Sequence, residues 1–284
     1  MILRMRFREA GLPGKTLYLF FELLLATYTV LILLPLVNMF LSSFKSTREI
    51  FSSPYALPRE FRLDNYLQVW VRGRFGRYML NSIAVTGLAM LLDLLLGSMA
   101  AFGIARYRYR LNTAIYLLFL SGIMLPLKAA VIPLFLLLKR LGLLNTTTSL
   151  VLVYAAMSLP STVFILTGFM RGLPQDLDDA ARIDGCSEPG IYWRVILPLV
   201  RPALAIVTIY NAIPIWNDFF FPLVFIQSDD LKTLPLGMTV FFGQYQTNWA
   251  LLFTGLSIAI LPMIALYLML SKQFIQGLTA GAIK

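Results

Sequence analysis

Apolar stretches longer than 18 residues recur along this chain, and that recurrence places it in a bilayer before any other feature is considered. Six runs stand out, at about 17–40, 79–104, 114–138, 149–170, 200–226 and 250–271. Each is long enough for a helix to cross roughly 30 Å of hydrocarbon with its backbone polar groups satisfied internally. Strands of a transmembrane barrel would instead alternate over segments of about ten residues. Only 13% of the residues are charged, against about 25% in soluble domains, and the mean hydropathy is +0.76. The expected fold class is an all-α integral membrane protein with six transmembrane helices.

The runs divide the chain into a cytoplasmic N-terminal segment (1–16), a six-helix domain (17–271) and a cytoplasmic tail (272–284). The first run follows Arg4, Arg6, Arg8 and Lys15 as a signal peptide would, but it is too long for a signal core. It therefore reads as a retained first helix. With both termini inside, the inner segments carry thirteen Lys and Arg and the outer ones ten, so charge favours this orientation only slightly. The net charge of +10 lies mostly beside the apolar runs, which assigns it to lipid headgroups and orientation rather than nucleic acid.

There is no His and one Cys, Cys186. That excludes His-based acid/base chemistry, Cys/His metal sites and a Cys–His nucleophile. The stretch Gly11 to Thr16 ends in the Gly-Lys-Thr of a phosphate-binding loop, but Glu9 stands where the pattern needs its first Gly, and a membrane span follows. No cofactor or metal site is expected in this chain.

The polar interruption from Leu173 to Gly190 holds five of the fourteen acidic residues: Asp176, Asp178, Asp179, Asp184 and Glu188. It reads as helix, turn, helix. Pro174 suits a first turn, and the acids after it sit near the positive end of the helix dipole. Gly185 supplies a stop, and Ser187 a cap for a second helix through Ile191, Trp193, Val195, Ile196 and Leu197 to Pro198. Leu177, Ala180, Ala181 and Asp184 would border a face that another protein could approach closely. An amphipathic helix resting on headgroups would favour basic residues instead.

At these residues the chain resembles the membrane subunits of ATP-binding cassette importers, whose inner loop carries Glu-Ala-Ala-x-x-Asp-Gly followed by Ile-x-Leu-Pro. Here Asp179, Ala180, Ala181, Asp184 and Gly185 stand in the motif, with Ile196, Leu197 and Pro198 closing it; Asp179 replaces the leading Glu and is one methylene shorter. Ser42 to Trp70, Asn81 to Thr86, Ala212 to Leu223 and Phe274 to Lys284 resemble the carbohydrate-uptake branch, in particular the six-helix partner typified by the G subunit of maltose importers. The resemblance implies a sugar or polyol as cargo, a second permease subunit, two copies of an ATPase carrying ATP and Mg, and an extracytoplasmic sugar-binding protein. It also implies that the 174–198 loop docks on the ATPase, and that the tail reaches the ATPase pair.

Ionisable residues inside spans cost about 2.5–3.5 kcal/mol each on insertion scales, so Asp93 and Lys128 need an account. Straight helices would set them at similar depths, which predicts an intramembrane pair, with lining of the sugar path as the alternative. Pro202, Pro214 and Pro222 predict a broken fifth span, and Trp216, Asn217 and Asp218 beside the break are candidates for the translocation path or for packing at a kink. A different function class is an ion-coupled secondary transporter using Asp93, Asp218 and Lys128. That class needs two matching halves with paired broken helices, and only one break is evident.

Overall fold

The computed structural model describes residues 12–71, 73–242 and 247–282, and every extended element among them is helical. In chain order these are α1 (Leu12–Ser42), α2 (Thr47–Ser52), α3 (Asp64–Val71), α4 (Phe75–Arg106), α5 (Asn112–Met124), α6 (Val131–Arg140) and α7 (Thr147–Arg171). There follow α8 (Asp176–Ile183), α9 (Glu188–Leu199, with a π-helical middle over Ile191–Ile196), α10 (Arg201–Asn217), α11 (Phe220–Phe225), α12 (Leu234–Gly237) and α13 (Trp249–Ala282). Four helices are long and apolar enough to cross a bilayer, and two bent pairs raise the number to as many as six. Most of the basic N-terminal segment, and the final two residues of the expected tail, lie outside the described residues.

The chain divides into two units. The smaller takes residues up to Val69 together with Phe241–Ile258. Its α1 is apolar on every side and mostly exposed over residues 16–37, as a helix facing lipid or another membrane subunit is. Beyond α1 the loop is organised by polar contacts. Lys45 is fully buried and its Nζ donates to the carbonyls of Ser53 and Pro54 at 3.1 and 3.0 Å. Asn65 donates to the carbonyls of Ser43 and Lys45, and Thr254 Oγ1 donates to Ser43 O at 3.0 Å.

The larger unit is built on α4 packed against α7. A Cβ on Gly97 would stand 2.4 Å from Thr162 Cγ2, so the two backbones meet as closely as they do because this position has no side chain. One apolar cluster joins α4, α7, α10 and α11. A second lies beneath the polar interruption and includes Ala101, Phe102, Leu166, Met170, Ala181, Ile191, Tyr192 and Ile196.

The expected span 114–138 is not one straight helix. Its helices bend by 88° at Leu125–Pro126. Proline lacks a backbone donor and drives its predecessor out of the helical region, and Leu125 is extended accordingly (φ −76°, ψ 128°). The expected break in 200–226 is present, but it falls at Asp218, whose backbone is extended, while Pro214 stays within α10. At its far end α13 continues without interruption through Ala282; a Cβ on its Gly277 would stand 2.7 Å from Ile206 Cδ1 and 3.2 Å from Pro202 O on α10.

Candidate functional site: a capped loop and a polar cavity

The interruption folds as α8, a turn and α9. Three acids occupy the first turn of α8, where the dipole favours them. The helix ends in a Schellman motif: Gly185 N–H donates to Arg182 O at 3.0 Å and Cys186 N–H to Ala181 O at 2.9 Å. Gly185 takes φ +82°, the left-handed conformation this cap needs, and open space surrounds its Cα. Ser187 occupies the cap position of α9 but makes no side-chain cap bond.

The motif residues do not share one face. Ala180, Asp179, Asp184 and Gly185 are exposed, whereas Ala181 is buried against the cluster below and Ile196 is fully buried within it. The expected pair of small contact residues is thus a single one, Ala180; Ala181 and Ile196 seat the loop, and Pro198 is half-buried near the end of α9. Ile183, not anticipated from the motif, is 86% exposed and gives the outer face an apolar centre beside Leu177.

A chain of charges ties the two loop helices. Arg182 donates to Asp179 Oδ1 and to Glu188 Oε1, both at 2.9 Å, and Tyr107, just beyond α4, donates to Glu188 Oε2. The bonds from Arg182 and then Tyr107 hold the Glu188 carboxyl below its ordinary range. Burial, and then Glu188, push the Tyr107 hydroxyl up to about 12.

Arg106, the last residue of α4, makes the contact that sequence reasoning missed. Its guanidinium donates from Nε to Asp178 Oδ2 at 2.7 Å and from Nη2 to Asp178 Oδ1 at 2.8 Å. The remaining donors reach the carbonyls of Met170 and Leu173 from Nη1 and of Pro174 from Nη2, at 3.1, 2.8 and 2.9 Å. All five donors are used, and the carbonyls left over where α7 ends gain a cationic partner. Both side chains are almost wholly buried, at 2% and 5% exposure.

On the membrane side, a cavity of about 550 Å³ is lined by Lys128, Ser158, Ser161, Asn211, Asn217 and Asp218, with Tyr154, Tyr210 and Phe221 among its apolar walls. The bend at Pro126 and the break at Asp218 both open onto it. Asp218 is held by Tyr154 Oη at 2.8 Å and by the Phe221 N–H at 3.0 Å, so it caps α11 while facing the cavity. Asn217 donates back to Ile213 O. Of the two roles weighed for Trp216, packing is the one its surroundings fit: it is buried and bonds through Nε1 to Ala259 O at 3.1 Å.

Asp93 and Lys128 are not paired, which corrects the expected intramembrane pair. Asp93 is fully buried and its Oδ2 accepts from Thr162 Oγ1 at 2.7 Å and Asn211 Nδ2 at 3.1 Å, joining α4, α7 and α10. Lys128 lies on the 3₁₀ turn after the Pro126 bend, 5.9 Å from the Phe220 ring centre. Straight-helix counting of depth fails once the helix bends.

Long apolar helices surrounding a polar cavity, with a capped loop seated beneath their ends, define the membrane-spanning component of a transporter. The family model described as "Binding-protein-dependent transport system inner membrane component" matches residues 93–279, and the chain belongs to that family. It is 35% identical to the diacetylchitobiose uptake system permease protein NgcG of Streptomyces coelicolor, over 92% of this chain and 87% of that one. It is 34% identical to the arabinooligosaccharides transport system permease protein AraQ of Bacillus subtilis, over 94% and 95% of the two chains. Among solved structures it is similar to a chain of a bacterial ABC transporter involved in import of the acidic polysaccharide alginate. That match has a TM-score of 0.81 and 20% identity, covering 93% of this chain and 99% of that one. The protein is an ABC importer permease subunit, embedded in the inner membrane through several helices.

Proposed function

We propose that the chain forms half of the translocation path for a mono- or oligosaccharide or related polyol. In this reading a second permease subunit supplies the other half, an extracytoplasmic binding protein delivers the cargo, and two copies of an ATPase hold ATP and Mg. Both termini and the loop from Pro174 to Pro198 face the cytoplasm. A bacterial alginate ABC transporter solved in complex with an alginate pentasaccharide-bound periplasmic protein shares the fold, and the curated relatives named above concern oligosaccharides. The cavity suits such a cargo: hydroxyl, amide and carboxylate groups stand beside Tyr154 and Tyr210, whose flat faces match a sugar ring.

The observation that carries the ATPase reading is the capped helix α8. It turns Leu177, Ala180 and Ile183 outward from a buried cluster, as a rigid element loaded by another protein requires. The test is copurification of the ATPase with this chain, followed by measurement of ATP-driven uptake for Gly185→Val and Asp179→Ala. Both variants are expected to insert and to lose uptake per ATP hydrolysed. Unchanged coupling in both, or uptake driven by a proton gradient without an ATPase, would sink the reading.

A further inference from the structure

Two neighbouring residues at the end of α4 hold both halves of the loop: Arg106 grips Asp178 on α8, and Tyr107 grips Glu188 at the start of α9. α4 does not adjoin this loop in sequence, yet it makes the buried connection. Arg106 also grips the carbonyls that end α7, so α4, α7 and α8 meet at one guanidinium. A planar group with five fixed donors resists rotation at such a joint in a way that a lysine ammonium would not.

Further along α4, Tyr192 of α9 is bonded to Ser98 at 2.7 Å and packs at a tilt against Phe102, ring centres 5.4 Å apart. Gly97 then lets α4 lie against Thr162 of α7. One turn beyond, Asp93 accepts from Thr162 and from Asn211, and Asn211 faces the cavity. From Arg106 to Asp93 is thirteen residues, or about 20 Å of straight helix. Buried contacts at intervals along α4 therefore lead from the loop to the cavity wall, and they begin at Arg106–Asp178.

We infer that Arg106 and Asp178 are positioning residues for coupling: their buried pair makes α8 move as one body with α4 and α7, so that displacement of the loop reaches the cavity through Asn211. The inference rests on the docking role proposed for α8. It differs from that role because neither side chain is exposed to a partner; the pair would act after docking.

The test uses the whole complex, purified with its ATPase, in a Cys186→Ser background carrying Ser158→Cys as a reporter in the cavity. The probe is a methanethiosulfonate reagent, and its labelling rate is compared with and without vanadate-trapped nucleotide. The parent complex is expected to change labelling rate on trapping. The apolar replacement Arg106→Met with Asp178→Leu removes both charges together, which spares the protein an unpaired buried ion. It is expected to assemble and trap nucleotide normally while the labelling response shrinks by about 5-fold or more, the lower end of ordinary allosteric coupling. A merely structural pair would lower assembly, trapping and response together.

If the apolar pair does not assemble, Arg106→Lys is read in the same way, since Lys keeps the charge at Asp178 but cannot serve all four partner residues. A reduced response with normal trapping supports the joint. A full response in either assembled variant overturns it. A parent complex that recruits no ATPase removes the docking role itself, and the pair's role falls with it.

Discussion

Replacing Asp93 with alanine removes the acceptor through which α4 is bonded to α7 and α10 at one buried point, while the Asn211–Thr162 bond between α10 and α7 stays. Two polar contacts are lost, from Thr162 Oγ1 at 2.7 Å and Asn211 Nδ2 at 3.1 Å. Interhelical contacts of this kind average about 0.6 kcal/mol in membrane proteins, with a maximum near 1.7, so together they are worth about 1 kcal/mol. Removal also relieves the insertion cost of a carboxyl, so the single mutant's net stability does not isolate the contact. A double-mutant cycle does. Asp93→Ala combined with Thr162→Val and Asn211→Leu should show a coupling energy of about 1 kcal/mol, whereas Asp93→Ala with Lys128→Ala should be additive within about 0.5 kcal/mol. The assay is reversible unfolding of the detergent-solubilised complex, followed by a signal confined to this chain. Coupling of Asp93 to Lys128 as large as its coupling to Thr162 and Asn211 would restore the ion pair and refute the present placement.

Other outcomes follow from single contacts. Gly97→Val should destabilise the complex by about 1–3 kcal/mol through overpacking against Thr162, whereas Gly87→Ala, with open space around it on the same helix, should lie within about 1 kcal/mol of the parent. Melting of the two variants side by side checks this. Lys45→Met should leave the carbonyls of Ser53 and Pro54 without their donor and raise trypsin cleavage across 48–62 by about tenfold, the consequence of roughly 1.4 kcal/mol of local stability. Glu188→Gln should loosen the link from α8 to α9 at neutral pH, read as faster proteolysis of the loop. Because Arg182 and Tyr107 lower the Glu188 pKa, the native tie is complete above the ordinary value of 4.5 and disappears as pH falls through the depressed one, where the two proteins should behave alike.

What could be read from the chain beforehand follows from which signals are local. Run length located the long helices, because spanning hydrocarbon requires it. The Gly185 stop was legible because a left-handed cap favours one residue type. The bend in 114–138 had its signal in Pro126, which an apolar run length passes over. The facing of side chains was not legible at all. A helix apolar on every side has no periodicity to mark its inner face, so Trp216 could be counted toward the cavity although it packs against α13. Asp93 finds its partners 69 and 118 residues away and Asp178 finds Arg106 at a separation of 72; no local pattern encodes such distances.

The five acids between Leu173 and Gly190 show what this difference means for function. By composition they form one negative patch, and the motif singles out Asp179 and Asp184. In the folded chain they divide into three groups. Asp178 turns inward and neutralises Arg106. Asp179 and Glu188 share Arg182 at the surface, where solvent and salt leave such ties weak. Asp176 and Asp184 stand exposed at the two ends of α8. A partner approaching the outer face therefore meets the apolar side chains of Leu177 and Ile183 flanked by carboxylates. The exposed Arg182 ties are weak enough to be exchanged for intermolecular ones, while the buried Arg106–Asp178 pair cannot be exchanged without leaving an unpaired charge. In the docking proposed for α8, a loop built this way changes its outer contacts during a transport cycle and keeps its inner one, the asymmetry that such a joint needs.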